Sequence, residues 1–185
     1  NKISFHRNQN GLLFLYRTQQ SFKLVKKKIK QLGEEFRSQE FLTQQETIEK
    51  EPAFRHIISD IAGSIYSKAD ESGDCYLFTK ALSEICKNIG VKFLYNTIIY
   101  KIHSMHNKIY SIQTNKGELN ADLYIMCLGS YSPLFSKTIG VNLPIYPVKG
   151  YSITIPITEE NQCPIHSGID EDNLLAFSRF GNKLR

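Results

Sequence analysis

The sequence predicts an α/β fold with a mixed sheet, and three observations carry that expectation. Leu123–Leu128 (Leu-Tyr-Ile-Met-Cys-Leu) is an uncharged run within Ala121–Ser132. It is too short for a helix and suits a strand buried on both faces, as in a parallel sheet. Upstream, Phe78, Leu82, Ile85 and Ile89 recur at helical spacing and stop at Gly90, a suitable C′ residue. Between these two stretches lies the pattern of a small meander. Short strands are expected at Val91–Leu94, Ile98–Ile102 and Ile109–Thr114, with a turn at His103–Lys108 and a hairpin signal, Asn115-Lys116-Gly117, before Glu118–Asn120.

Taken in order, Gly11–Arg17 is apolar enough for a strand buried on both faces. Gln19–Gln31 is a basic amphipathic helix closed by Gly33, and Phe36-Arg37 reads as a short strand. Thr43-Gln44-Gln45-Glu46 fits a capping box, so a helix should start at Thr43 and end before Pro52. Ile57–Ser67 is rich in β-formers about a central Gly63, followed by a turn over Asp70–Asp74. Gly129 should end the central apolar run, with Ser132 as N-cap and Pro133 as the first helical residue. Val148–Ile155 alternates towards a strand ended by Pro156, Thr158–Pro164 is loop, and Ile165–Ser167 and Leu174–Ser178 are further strands. Changes of character near Lys68 and Gly140 divide the chain into 1–67, 68–139 and 140–185.

Composition narrows the classes. With 185 residues, 41% hydrophobic and 22% charged, the chain has material for one sizeable core and is not of the disordered type. No apolar run reaches the length of about 18 residues that a spanning helix requires. Neither terminus carries a start, signal or tail pattern, so the chain reads as a piece of something longer. Cys75, Cys86, Cys127 and Cys163 show no CxxC spacing, which favours free thiols over a disulfide framework or a zinc site. Cys127, inside the apolar run, is expected to be a small buried hydrophobe. Much of the net charge of +5 comes from Lys23–Lys30. Phe22, Val25, Ile29 and Leu32 share one face of that helix, so its lysines form a solvated face or a surface for an anionic membrane; without aromatic residues interleaved for base stacking, no nucleic-acid partner is expected.

Few constellations carry chemistry unaided. A strand, a glycine and a helix start are where open α/β sheets hold phosphates or flavin rings, although many such junctions bind nothing. His103 and His106 flank a turn and have no third ligand near them in sequence, and Asp170-Glu171-Asp172 reads as a solvated loop, so no metal is expected. No Gly-x-Gly-x-x-Gly, P-loop or Gly-x-Ser-x-Gly occurs.

Several blocks occur in order: Glu71-Ser72-Gly73-Asp74-Cys75, Gly90-Val91-Lys92-Phe93, Gly129-Ser130-Tyr131-Ser132, and Tyr146-Pro147-Val148-Lys149-Gly150-Tyr151-Ser152. Together they resemble the D-amino acid dehydrogenases, in their small catalytic chain, of the flavin-dependent D-amino acid oxidase superfamily, from about Gly11 to the C-terminus. The resemblance implies the middle section (68–139) of a glutathione-reductase-type FAD-binding domain, flanked by two parts (1–67 and 140–185) of a mixed-sheet substrate domain. It implies oxidation of a D-amino acid to an imino acid, hydrolysed to a 2-oxo acid and ammonia, with hydride passing from Cα to the flavin. Electrons then go to a quinone or another acceptor, at the cytoplasmic face of the inner membrane or in the cytoplasm. Carried over by position, Ile99 meets the adenine end of FAD with its backbone, or is a plain strand residue. Cys127, Leu128, Gly129 and Tyr131 approach the flavin. Lys149 and Tyr151 border the substrate cavity, though Tyr151 equally suits a half-buried strand position. No side chain is assigned as catalytic, because a neutral bound amine needs no obligatory base. FAD is expected to be weakly bound or absent in this chain alone, since the pyrophosphate-binding glycine motif precedes the matching segment in the family. The alternatives are a sarcosine- or glycine-oxidase-like amine oxidase, or a non-catalytic relic or basic binding module that keeps the fold.

Overall fold

β1, Leu12–Tyr16, is the strand around which the larger sheet is built. The computed structural model describes residues 3–32, 39–159 and 162–185. The chain divides into two compact units, one formed by Asn1–Ile89 with Ser152–Arg185 and the other by Gly90–Tyr151.

In the first unit the order is β2-β3-β1-β8-β9, with β2 at Gln39–Thr43, β3 at Gly63–Ser67, β8 at Ser167–Asp170 and β9 at Leu175–Phe177. β1 runs antiparallel to β3 and parallel to β8, so the sheet is mixed as expected. The pleat sends alternate β1 side chains to opposite faces. Leu13 and Leu15 join Leu42, Ile48, Phe54, Ile61 and Tyr66 on one side. Phe14 and Tyr16 join Phe22, Val25, Ile29, Phe41 and Ile65 on the other. The second face is covered by α1, Gln19–Leu32, through Phe22, Val25 and Ile29 as the sequence predicts, whereas Leu32, expected on the same face, is 50% exposed at the helix end.

The first face is covered by α2, Gln44–Lys50, and by a kinked 3-10 segment, Pro52–Asp60. Thr43 and Glu46 form both halves of the capping box, and Thr47 Oγ1 meets Ser64 Oγ at 2.8 Å, tying α2 to β3. Only the second half of the strand expected over Ile57–Ser67 forms. Pro52 supplies a helical φ and Glu51 accepts from the Ala53 N–H, so the isoleucines before Ile61 enter a helical turn instead. α3, Cys75–Asn88, starts three residues before Phe78 because Asp74 Oδ1 accepts from the Tyr76 and Leu77 N–H groups. Gly33 and Phe36-Arg37 lie outside the described residues. The strand expected at Val148–Ile155 reduces to β7, Ile155–Pro156, which pairs with β11, Lys183–Leu184, beside β10, Arg179–Phe180. Residues 141–154 form no ladder, and Pro147 and Pro156 lack the N–H that a longer ladder would use.

In the second unit the meander is present as β4 (Ile99–Met105), β5 (Lys108–Thr114) and β6 (Gly117–Leu119). His106 and Asn107 both take positive φ, 49° and 59°, giving a two-residue turn of the handedness that hairpins favour. Val91–Leu94 forms no strand. The larger correction concerns Leu123–Leu128, which is neither a strand nor buried: Leu123 is 76% and Ile125 80% exposed. Cys127, expected in a core, is exposed with it. The physical reason is the absence of neighbours. No strand among the described residues pairs with this run, and its start is held by the Tyr124 hydroxyl, which donates to Tyr110 O (3.0 Å) and accepts from Ala121 N–H (2.8 Å).

Candidate functional site

All seven residues nominated for cofactor or substrate fall in the Gly90–Tyr151 unit. Ile99 opens β4 opposite Thr114 and is half-buried. Its strand end is closed by Asn115, whose Oδ1 accepts from Ile98 N–H (2.8 Å) and whose own N–H donates to Ile98 O (3.1 Å). Cys127 and Leu128 lead into a 3-10 turn, Gly129–Tyr131, in which Tyr131 N–H donates to Leu128 O (3.1 Å). Gly129 adopts φ +54°, and nothing lies within 4 Å of the space a side chain would take. A planar or polar group can therefore approach the backbone closely at this point. Tyr131 is exposed, while the next residue, Ser132, is buried.

α4, Ser132–Ser136, follows with Tyr131 rather than Ser132 at the N-cap and without a side-chain cap. Ser132 has already taken helical φ/ψ, which displaces the predicted cap by one residue. With five residues, α4 presents only a short dipole.

Lys149 and Tyr151 lie on an exposed stretch outside any ladder, which corrects the strand expected for them. They meet each other, with the Lys149 ammonium 5.2 Å from the Tyr151 ring centroid, and Tyr151 is 88% exposed. Cys127 to Tyr131 are continuous in sequence, Lys149 meets Tyr151, and Ile99 belongs to the meander.

A flavin dinucleotide needs an apolar or backbone wall for its rings and a set of N–H donors for its pyrophosphate. Gly129 and Tyr131 fit the first need. For the second, the sequence holds no glycine-rich loop, so these residues fit one side of the cofactor and not its phosphates. Two clefts, of about 160 Å³ beside Ile155, Pro156 and Leu184 and of about 330 Å³ beside Phe5, Glu71, Gly73 and Phe78, include none of the seven.

The strongest electrostatics lie in the other unit, in two groups not read from the sequence. Glu51 is 1% exposed, yet its Oε2 accepts from Ile165 N–H (2.7 Å), His166 N–H (2.9 Å) and His166 Nδ1 (2.9 Å). A carboxylate only accepts, so Nδ1 carries the proton. Burial pushes the Glu51 carboxyl up, and these donors outweigh it, holding the group below the usual carboxylate range. Asp170, expected in a solvated loop, is buried and accepts from Arg17 Nε (2.7 Å), Asn173 Nδ2 (2.9 Å) and Asn173 N–H (3.1 Å). Burial raises its carboxyl, and the Asn173 and Arg17 donors lower it further than burial lifts it. Tyr16 is pushed up to about 12 by burial, then by Glu171 and Asp172. A glutamate immediately before Pro52 and an aspartate three residues before Asn173 are the local signs of the two anchors.

The sequence profile of the FAD dependent oxidoreductase family designated DAO matches residues 1–185. The D-amino acid dehydrogenase of Vibrio vulnificus is 37% identical over 183 residues, covering 99% of this chain and 44% of that protein. The protein of the same name from Granulibacter bethesdensis is 39% identical over the same length and shares. Among solved structures, glycine oxidase from Geobacillus kaustophilus superposes with a TM-score of 0.83 at 20% identity, over 98% of this chain and 48% of that one. L-proline dehydrogenase from P. horikoshii superposes with a TM-score of 0.78 at 22% identity, over 97% and 48%. The chain therefore spans less than half the length of the curated relatives it matches, and the structural likeness establishes the fold.

Proposed function

The chain belongs to the DAO family of FAD dependent oxidoreductases, and from that premise we propose that it forms part of an enzyme oxidising D-amino acids to 2-oxo acids and ammonia. The observation that carries this reading is 36–39% identity, over 99% of the chain, to five curated proteins that all bear the name D-amino acid dehydrogenase. Electrons pass on to an external acceptor, a quinone or another carrier, and the protein works in the cytoplasm, peripherally on the inner membrane. Among the described residues no helix is long and apolar enough to cross a membrane.

FAD, when bound, supplies the acceptor for the Cα hydride. This chain's residues bind and orient. The backbone at Ile99 would contact the adenine end of FAD, and Cys127, Leu128, Gly129 and Tyr131 would wall one side of its ring system. Lys149 and Tyr151 would border the substrate cavity. In this reading residues 1–67 and 140–185 belong to a substrate domain and 68–139 to the middle of the flavin domain.

The test is a full-length, FAD-loaded polypeptide containing this chain, assayed with D-alanine, L-alanine and glycine and a redox dye. Dye reduction with D-alanine well above the other two supports the reading. Reduction only with glycine, or none with any of the three, overturns it.

A further inference from the structure

All of the net charge of this chain resides in one helix. α1 holds five lysines and no acidic residue. Taking those five from the 23 lysines and arginines leaves 18, equal to the 18 acidic residues of the whole chain. The other residues are thus neutral in sum, and the asymmetry is local.

Position around the helix decides what that charge reaches. Phe22, Val25 and Ile29 lie against the sheet. Lys26 folds inward, with its ammonium 4.1 Å from the Phe22 ring centroid and 5.5 Å from that of Phe41, and its field reaches the Glu46 carboxyl. Lys23, Lys27, Lys28 and Lys30 are exposed, and among the described residues none of them forms an ion pair. The acidic neighbour at the opposite end, Asp172, accepts from Ser21 in the first turn. Among the four lysines projects Leu24, 67% exposed, and Leu32 follows at the end of the helix.

We infer that the outward face of α1 docks on an anionic lipid surface, with Lys23, Lys27, Lys28 and Lys30 meeting headgroups and Leu24 entering the interface. The residue types favour lipid over nucleic acid. The outward face has no aromatic ring on which a base could stack and no arginine fork for a phosphate. A leucine set among lysines gains nothing from a polyphosphate backbone and gains apolar burial at a headgroup boundary. Each lysine near such a surface strengthens binding about fivefold, so four give several hundredfold over a neutral surface at low salt. High salt removes most of that gain. The inference gives the peripheral placement proposed above a surface, and it rests on that reading only for which membrane is involved.

Sedimentation of this chain with vesicles of phosphatidylglycerol and phosphatidylcholine (about 3:7), against phosphatidylcholine alone, tests it without flavin or amino acid. Its failure is therefore distinguishable from failure of the enzymatic reading. Binding to the anionic vesicles alone is expected, falling at least tenfold in 0.5 M salt. The variant K23Q/K27Q/K28Q/K30Q should lose it while keeping its circular dichroism. A variant of equal net charge, K92Q/K101Q/K108Q/K183Q, altered at exposed lysines elsewhere, should keep it. Equal losses in the two variants, binding to neutral vesicles, no binding at all, or tighter binding to single-stranded DNA than to vesicles would each overturn the inference.

Discussion

The Glu51 carboxylate and His166, 115 residues apart, are joined twice over, since one oxygen accepts both the ring Nδ1–H and the backbone N–H of His166. A third donor, Ile165 N–H, completes the clamp between the start of the 3-10 segment and the entry to β8.

Because Glu51 is held below its ordinary value of 4.5, its contribution to stability is fully present above that value. It is lost as pH falls through the lower, folded-state value. Glu51→Gln should cost roughly 2–3 kcal/mol at pH 7, from weakened charge-assisted bonds and an amide N–H₂ left beside donors. Urea unfolding of both proteins at pH 7 and pH 3.5 checks this, with the difference between them shrinking at the lower pH.

Asp170 and Asp172 both touch Arg17, one through its guanidinium and the other through its backbone N–H. Asp170 is buried and Asp172 exposed, so the two substitutions should differ. Asp170→Ala strips a partly buried guanidinium of its partner and should cost about 2–3 kcal/mol, whereas Asp172→Asn should cost under about 1. Thermal unfolding midpoints in that order are expected, with equal midpoints as the contrary result.

Gly168 in β8 sits so close to β1 that a methyl group would lie 2.2 Å from Leu13 O and 2.6 Å from the Phe177 ring. The carbonyl is fixed in the parallel ladder and cannot yield. Gly168→Ala should therefore destabilise by about 2–3 kcal/mol or prevent folding, while Gly150→Ala, with open space around it, should be neutral within about 0.5. Chemical denaturation of both variants separates packing from composition.

Purified as this chain, the protein should be colourless and should not turn over D-alanine with a dye acceptor. The missing pyrophosphate donors are each worth about 1.5–3 kcal/mol in charge-assisted bonds. Stoichiometric flavin absorbance after gel filtration would contradict this and would require a phosphate site elsewhere in the chain.

What the sequence made legible was short in range. The capping box at Thr43 and Glu46 spans one turn, the packed stripe of α1 from Phe22 to Ile29 spans about two, and the meander is set by adjacent turns. Burial was not legible where it depends on neighbours distant in sequence. Leu123–Leu128 has the composition of an interior strand, but a ladder requires a second edge that no described residue provides. Asp170 sits in an acidic run that reads as solvated, and its burial is offset by Asn173 close by and by Arg17, 153 residues away, of which only the first lies within reach of local pattern. For the nominated site, Cys127 to Tyr131 were named by resemblance, and the open space at Gly129 became visible only in the structure. The meeting of Lys149 with Tyr151 was visible only as spacing, and the ladder expected to hold them is not formed.

Leu123–Leu128 also has a consequence for handling. Six consecutive uncharged residues of high β-propensity, without proline or glycine, lie outside any ladder among the described residues, with Leu123, Ile125 and Cys127 exposed and the residues between them half-buried. That is the composition from which intermolecular cross-β stacking is built, each copy offering the next a matching row of donors and acceptors. Protein concentration therefore governs how long this chain stays dispersed, and a lysine at Ile125, in the middle of the run, would act as a gatekeeper against fibrils.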